Sequence, residues 1–147
     1  MKQLIAACHR KDVLVYAWLE LPHVSEDFWQ ANPACRAKTA ALQDAHLDWR
    51  KLINLAEPSC FQSVVGGWKR LLSAYDWDGV NVAELYFKSL HGPSNPQRFT
   101  PLNGWVRADY RTRRGIDALR FFDNASMHFH ERDREEWRDF VDYRAGL

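Results

Sequence analysis

The stretch Val13-Leu14-Val15-Tyr16-Ala17-Trp18-Leu19 is the most strand-like part of the sequence. It is an unbroken run of β-branched, aromatic and aliphatic residues, as in strands that are buried on both faces of a parallel sheet. We expect this strand to stop before Pro22, because proline cannot donate to the hydrogen-bond ladder. Two further runs, Lys51–Leu55 and Gly79–Phe87, are also predicted to be strands. All three strands are expected to lie parallel and adjacent.

A helix is predicted between the second and third strands. Apolar residues recur at helical spacing from Ser59 to Ala74, and Pro58 suits the first turn of such a helix. Shorter helical patterns occupy Lys2–Lys11, Ala34–Gln43, Val106–Arg114 and Arg132–Leu147. A strand, a helix and another buried strand are typical of a right-handed crossover in a parallel sheet. The sequence therefore predicts an α/β fold with parallel strands and crossover helices.

The predicted sheet raises a question about its edges. Three apolar parallel strands leave two edges unpaired, and such edges are rarely exposed to water. Missing barrel strands, a second subunit of an oligomer, or a partner chain could cover them. We expect the first of these, so that residues 1–147 form a single incomplete segment of a TIM-type (β/α)8 barrel with long βα loops.

Composition excludes several classes of partner. The chain has 20 basic and 19 acidic residues and no polybasic run, so no nucleic-acid partner is predicted. The longest apolar stretch, Val13–Leu19, is much shorter than the roughly 20 residues that span a bilayer, so no membrane span is predicted. The N-terminus lacks the pattern of a secretory signal. The compartment stays unknown, with the cytoplasm as the default expectation.

Cysteine and histidine spacing gives no sign of a metal or a cofactor. The odd number and wide spacing of Cys8, Cys35 and Cys60 argue against a disulfide framework, so all three are predicted to be buried thiols. His128 and His130 lack a third ligand nearby in sequence. No glycine-rich nucleotide motif is present, and no cofactor is expected.

Carboxylates stand near the ends of two predicted strands. Glu20 follows the first strand, and Glu84 lies near the end of the third. Catalytic groups of parallel sheets and barrels lie at this carboxyl end. Asn54, near the end of the second strand, is expected to lie at the same carboxyl end of the sheet, the mouth of the predicted barrel. Alternation along the strands places Tyr16 and Trp18 on the face of Glu20, and Tyr86 on the face of Glu84.

Two readings of these carboxylates stay open. Both side chains could simply cap strand ends by hydrogen bonding to loop backbone. Glutamate is disfavoured inside a strand, and its burial without a partner costs free energy. Because Glu84 lies within a predicted strand and Glu20 follows one, a functional role is favoured for Glu84 more than for Glu20. The sequence also contains 7 tryptophans, one of them Trp29 in the long loop. Tryptophan fills protein cores, but it also stacks on flat apolar faces such as those of sugar rings.

Several motifs occur in an order that is similar to a known family. They are Val15-Tyr16-Ala17-Trp18, the tryptophan-containing loop that ends at Asn32-Pro33, Asn54-Leu55 with Pro58, Tyr75-Asp76-Trp77-Asp78-Gly79-Val80, and Trp137-Arg138-Asp139-Phe140. This order resembles glycoside hydrolase-like barrels, in particular glycoside hydrolase-like family ten and the hydrolase domain of bacterial poly-N-acetylglucosamine deacetylases.

The resemblance implies a carbohydrate partner and a carboxylate mechanism. Glu84 and Glu20 would be the acid/base or nucleophile pair that glycoside hydrolysis requires. The residues that would bind the sugar are Tyr16, Trp18, Trp29, Asn54 and Tyr86. The alternative is a non-catalytic saccharide-binding or interaction module. Such a module would keep the aromatic residues but tolerate the loss of Glu84, whereas an enzyme would not.

Overall fold

The structure is a computed structural model, and it describes residues 1–47, 49–84, 87, 89, 92–124 and 134–147. Its helices are α1 (Lys2–His9), α2 (Glu26–Ala31), α3 (Pro58–Ala74), α4 (Gly104–Arg114) and α5 (Glu135–Ala145). Its strands are β1 (Tyr16–Glu20), β2 (His23–Val24), β3 (His46–Leu47), β4 (Arg50–Leu52) and β5 (Gly79–Ala83). Short 3-10 turns cover Pro33–Cys35, Gly92–Ser94, Pro96–Arg98 and Ala118–Phe122.

The first and third predicted strands form a small parallel sheet. β1 pairs with β5 in a register that runs from Tyr16 opposite Gly79 to Glu20 opposite Ala83. Helix α3 lies between them in the chain, as the crossover pattern predicts. The α/β class and the parallel pairing of these two strands are therefore confirmed.

Strand β1 is exposed on one face, which corrects the expectation of a strand buried on both faces. Along β1 the side chains of Ala17 and Leu19 are buried, while those of Tyr16 and Trp18 are exposed. In β5, Val80 and Val82 lie on the other face, beside Ala17 and Leu19, and are also partly exposed. The run begins at Tyr16 rather than Val13 because the Val15 N–H donates to Asp78 in the turn before β5, outside the ladder. We call β1 and β5 together the open sheet.

The second predicted strand does not join the open sheet, and this part of the prediction is wrong. β4 lies between β2 and β3 in a separate antiparallel sheet, with His23 opposite Leu52 and His46 opposite Lys51. Only two residues separate β3 from β4, and so short a connection permits an antiparallel hairpin but no parallel crossover.

The long loop before β4 is more ordered than the sequence indicates. Helix α2 begins at an N-cap, where the Ser25 hydroxyl accepts the Phe28 N–H at 3.3 Å. The helix predicted at Ala34–Gln43 is absent, and extended backbone there forms bridges from Arg36 to Ile53 and from Lys38 to Asp44. The other four predicted helices are confirmed within a few residues at each end.

The largest core lies in the C-terminal third and is rich in aromatic rings. Its buried members are Ala40, Phe99, Leu102, Tyr110, Ala118, Phe121 and Phe140. We call this set the aromatic core. Helices α4 and α5 supply two of the rings, and the Phe121 and Phe140 rings stack with centroids 5.3 Å apart.

A second core packs helix α3 against the antiparallel sheet, and a disulfide runs through it. Cys35 and Cys60 are bonded, with their Cα atoms 5.4 Å apart, beside Leu21, Ile53 and Val64. The prediction of three thiols is wrong for these two residues, because a partner 25 residues away leaves no local pattern. Cys8 is a free thiol, half-buried rather than buried.

No helix within the described parts of the chain is long and apolar enough to cross a membrane.

Candidate functional site

The carboxyl end of the open sheet brings two acidic residues together. Glu20 is the last residue of β1, and Glu84 directly follows β5. The Leu21 N–H donates to the Ala83 carbonyl at 3.3 Å, so the two strands stay paired up to this end. This is the end at which parallel α/β proteins carry their functional groups.

The backbone at Glu84 ends the strand and redirects the side chain. Glu84 has a φ of 56°, in the left-handed region that residues other than glycine seldom adopt. Strict alternation along β5 would place the Glu84 side chain on the same face as Val80 and Val82. The strand register puts that face beside Ala17 and Leu19 of β1, whereas Glu20 lies on the other face. The Glu84 carboxylate instead meets Arg50, whose Nη2 lies 2.9 Å from Oε2 and 3.2 Å from Oε1.

Glu20 is held by two hydrogen-bond partners. Its Oε2 lies 3.1 Å from His23 Nδ1, and its Oε1 accepts the Trp18 indole N–H at 3.2 Å. The hydrogen bond from His23 lowers the pKa of Glu20, with smaller contributions from Trp18 and from the charge of Arg50. Glu20 is therefore a carboxylate at neutral pH.

Trp49 and Arg50 connect the two acidic residues. The Trp49 ring packs edge-on against His23 at 4.8 Å, and the Arg50 guanidinium lies 5.1 Å from the Trp49 ring centroid. Arg50 Nε is buried and has no hydrogen-bond partner among the described residues. The contacts link six residues, which we call the mouth cluster: Trp18, Glu20, His23, Trp49, Arg50 and Glu84.

The mouth cluster combines fixed charges with two open aromatic faces. Trp18 is 61% exposed and Trp49 is 64% exposed, so both rings are available to a ligand. Three members, His23, Trp49 and Arg50, were not predicted as site residues from the sequence. They arrive through the antiparallel sheet, which the sequence did not reveal. The adjacent Trp49-Arg50 pair is the only local signal that could have suggested them.

Two predicted sugar-binding residues have structural roles instead. Trp29 is only 7% exposed; its indole N–H donates to the Leu52 carbonyl at 3.2 Å, and the Arg36 guanidinium covers its ring at 3.8 Å. Asn54 is 3% exposed, and its Oδ1 accepts the Ala56 N–H at 3.2 Å in a turn. The structure therefore does not bring Trp29 and Asn54 to an accessible position beside the carboxylates.

Tyr16 and Tyr86, the other predicted binding residues, have different outcomes. Tyr16 is exposed, and its ring covers Gly79, where an added Cβ would lie 2.5 Å from the Tyr16 ring. This packing is at the amino end of β1, the end opposite Glu20. Tyr86 lies outside the described residues, as do His128 and His130.

Asp78 fastens the amino end of the open sheet. Its Oδ2 accepts the Val15 N–H at 2.6 Å and lies 2.9 Å from His9 Nε2. The Val15 hydrogen bond and then the one from His9 lower the pKa of Asp78. These contacts give Asp78 a structural role in the turn before β5.

The mouth cluster is an open surface, and a cleft of the described residues lies elsewhere. That cleft has a volume of about 740 Å³ and runs between the start of α3 and helices α4 and α5. Within the described ranges, no group of three His, Cys, Asp or Glu side chains is arranged to hold a metal ion.

Comparison with known proteins leaves the geometry as the basis for assigning a function. No protein-family model matches this sequence, and a comparison with curated proteins also finds no match.

Proposed function

We propose that the mouth cluster binds a saccharide and that the chain forms part of a glycoside hydrolase-like barrel. One observation carries this proposal. Glu20 and Glu84 lie at the same end of two paired parallel strands, and the contacts that join them run through the mostly exposed Trp49. A second exposed tryptophan, Trp18, donates its indole N–H to Glu20.

Each part of the mouth cluster supplies one element of sugar recognition. Exposed rings such as Trp18 and Trp49 offer flat apolar faces that suit the C–H faces of a pyranose. Carboxylate and guanidinium groups form directional hydrogen bonds with hydroxyl groups, and charged partners strengthen such bonds. A few fixed polar groups beside aromatic surface are the usual composition of a small-molecule site.

The open sheet supports the barrel part of the proposal. Among the described residues the parallel sheet has only two strands, so each has an unpaired edge there, and Trp18 and Val82 are exposed on opposite faces. Parallel strands are normally covered on both faces by other elements. Further barrel strands would cover these edges and complete a mouth around Glu20 and Glu84.

Hydrolysis is the second candidate function, and the pair of carboxylates favours it. Glycoside hydrolysis needs one carboxylate as nucleophile or base and one carboxylic acid as proton donor. The lowered pKa of Glu20 suits the first role. Glu84 has both oxygens within 3.2 Å of Arg50 Nη2, so a substrate must displace that contact before Glu84 donates a proton. The geometry therefore supports binding more directly than cleavage.

Calorimetric titration with cellotetraose and with tetra-N-acetylchitotetraose tests binding. We expect Trp49→Ala and Trp18→Ala each to weaken binding about tenfold, which corresponds to about 1.4 kcal/mol. Leu14→Ala is the matched control, because Leu14 is equally exposed just before β1 but is remote from the mouth cluster. Unchanged affinity in both tryptophan variants would contradict the proposed site.

Release of reducing ends from the same saccharides separates hydrolysis from binding. In an enzyme, Glu20→Gln and Glu84→Gln abolish release while affinity is largely retained. Glu26→Gln is the control, since Glu26 also forms a surface ion pair, with Lys51. Binding without any release by the unaltered chain would leave the non-catalytic saccharide-binding module as the function.

A further inference from the structure

The cleft between the start of α3 and helices α4 and α5 has the size of a ligand site. Its volume of about 740 Å³ falls within the roughly 300–1,000 Å³ of small-molecule pockets. Leu55, Pro58 and Phe61 form one wall at the start of α3. Trp105 and Asp109 of α4 and Tyr143 of α5 form the other. We call it the helical cleft.

Two aromatic side chains stand open on its walls. Phe61 is 44% exposed and Trp105 is 39% exposed, whereas the phenylalanine and tyrosine rings of the aromatic core are almost completely buried. Both line the helical cleft from different helices. Large apolar side chains that stay exposed inside a concave surface mark a place for a ligand more often than isolated ones on convex surface do.

Hydrogen-bonding groups lie beside these rings in fixed positions. The Tyr143 hydroxyl donates to Asp109 Oδ2 at 2.9 Å, and Arg113 Nε also lies 2.9 Å from Oδ2. Both contacts use the same carboxylate oxygen of Asp109, Oδ2. Burial raises the pKa of Tyr143, and the Asp109 hydrogen bond raises it further, so its hydroxyl stays protonated as the donor that orients Asp109.

The charges of the helical cleft exclude a strongly anionic ligand. Its lining holds three aspartates, Asp109, Asp139 and Asp142, against two arginines, Arg113 and Arg114, which gives a net side-chain charge of 2 − 3 = −1. Asp109 pairs with Arg113, and Asp139 pairs with Arg114. The helical cleft therefore suits a ligand without strong negative charge, such as one with hydroxyl groups that donate to carboxylates and apolar faces that stack on Phe61 and Trp105.

We propose that the helical cleft is a second saccharide-binding site, separate from the mouth cluster, with Trp105 and Phe61 as stacking surfaces and Asp109 and Asp142 as hydroxyl acceptors. The choice of a saccharide as ligand class rests on the proposed function. The location rests on the helical cleft itself.

Titration of the full chain with the same two tetrasaccharides tests this inference. We expect two binding sites in the unaltered chain, and we expect Trp105→Ala and Phe61→Ala each to weaken one of them about tenfold. Leu71→Ala is the matched control, because Leu71 is similarly exposed on the same helix as Phe61 but does not line the cleft. Asp142→Asn is expected to weaken the same site with no change in thermal stability.

The outcomes separate the two proposals. A single site that is lost in Trp49→Ala and unchanged in Trp105→Ala and Phe61→Ala would overturn the second site and leave the mouth cluster in place. Binding that is lost only in Trp105→Ala and Phe61→Ala would support the helical cleft and overturn the mouth cluster. Absence of any binding by either tetrasaccharide would overturn both.

Discussion

The aromatic core and the open sheet use the same kinds of side chain in opposite ways. In the aromatic core, Phe99, Tyr110 and Phe140 are almost completely buried. In the open sheet, Tyr16 and Trp18 are mostly exposed. The first region gains stability from the area that it removes from water, while the second keeps that area available for a ligand or a partner. A high aromatic content therefore cannot distinguish a core from a binding surface.

Removal of a ring from the aromatic core should have the largest effect on stability. The Phe140 ring contacts Phe121 at 5.3 Å and Tyr110 at 5.1 Å. We expect Phe140→Ala to lower the free energy of unfolding by about 3–5 kcal/mol, because it leaves a cavity in a closed core. Urea unfolding measures the change. Trp18→Ala in the open sheet should change it by less than about 0.5 kcal/mol, and a similar loss in both variants would contradict the contrast between the two regions.

The disulfide in the second core should have the next largest effect. It closes a loop with a sequence separation of 25. We expect the double change Cys35→Ala and Cys60→Ala to lower the free energy of unfolding by about 3 kcal/mol, since it frees the unfolded chain. Cys8→Ala is the control. A thiol assay on the unfolded, unreduced chain should find one free thiol; three would show that the bond does not form.

Acid should weaken the side of the molecule that carries the aromatic core. Hydrogen bonds from Arg107, together with the Leu119 N–H and Arg111, lower the pKa of Asp117 to about 2 from 3.8. A carboxyl group whose pKa is lower in the folded than in the unfolded chain stabilises the fold at pH values above its unfolded-state pKa. This contribution is lost as the pH falls from about 4 towards 2. The shift of 3.8 − 2 = 1.8 corresponds to about 2 kcal/mol.

Unfolding experiments at about pH 6 and about pH 2.5 measure this contribution. Asp117→Asn should lose stability at the higher pH and show a smaller difference between the two conditions. Asp76→Asn, at a carboxylate that is almost fully exposed, serves as the control. An equal pH dependence in the unaltered chain and in Asp117→Asn would contradict the role of Asp117.

The open sheet should affect association more than stability. Its exposed valines, and strand edges that no other described strand pairs with, favour contact with another copy or a partner chain. We expect light scattering to show oligomers that grow with concentration, and we expect Val82→Lys to reduce them with little change in unfolding. A monomer at all concentrations would favour a complete small fold over a barrel segment.

The sequence predicts those parts of the fold that have a strong local pattern. The run that contains β1, the turn before β5 and the periodicity of α3 each specify their structure within a few neighbouring residues, and their predictions are confirmed. The short strand β4 is different, because it has three residues and is fixed by its hairpin with β3. The apolar residues next to β4 in the sequence give this segment the pattern of a buried strand in a parallel sheet.

The candidate site could be predicted only in part, for the same reason. Glu20 and Glu84 follow from their positions at strand ends. His23, Trp49 and Arg50 reach them through the antiparallel sheet, and no local pattern encodes that contact. The alternation of side chains applies only to extended backbone, and the backbone of Glu84 is left-handed. The side of the sheet on which its side chain lies could therefore not be predicted from sequence spacing.

The most direct test of the mouth cluster is a titration of the chain with tetra-N-acetylchitotetraose and cellotetraose, followed through the indole N–H signals of its tryptophans by NMR. The proposal predicts that the signals of Trp18 and Trp49 shift with a common saturation curve. The signal of Trp29, which is buried and bonded to the Leu52 carbonyl, should stay in place. Saccharide binding that leaves both the Trp18 and Trp49 signals unmoved would contradict the assignment of the mouth cluster as a saccharide-binding site.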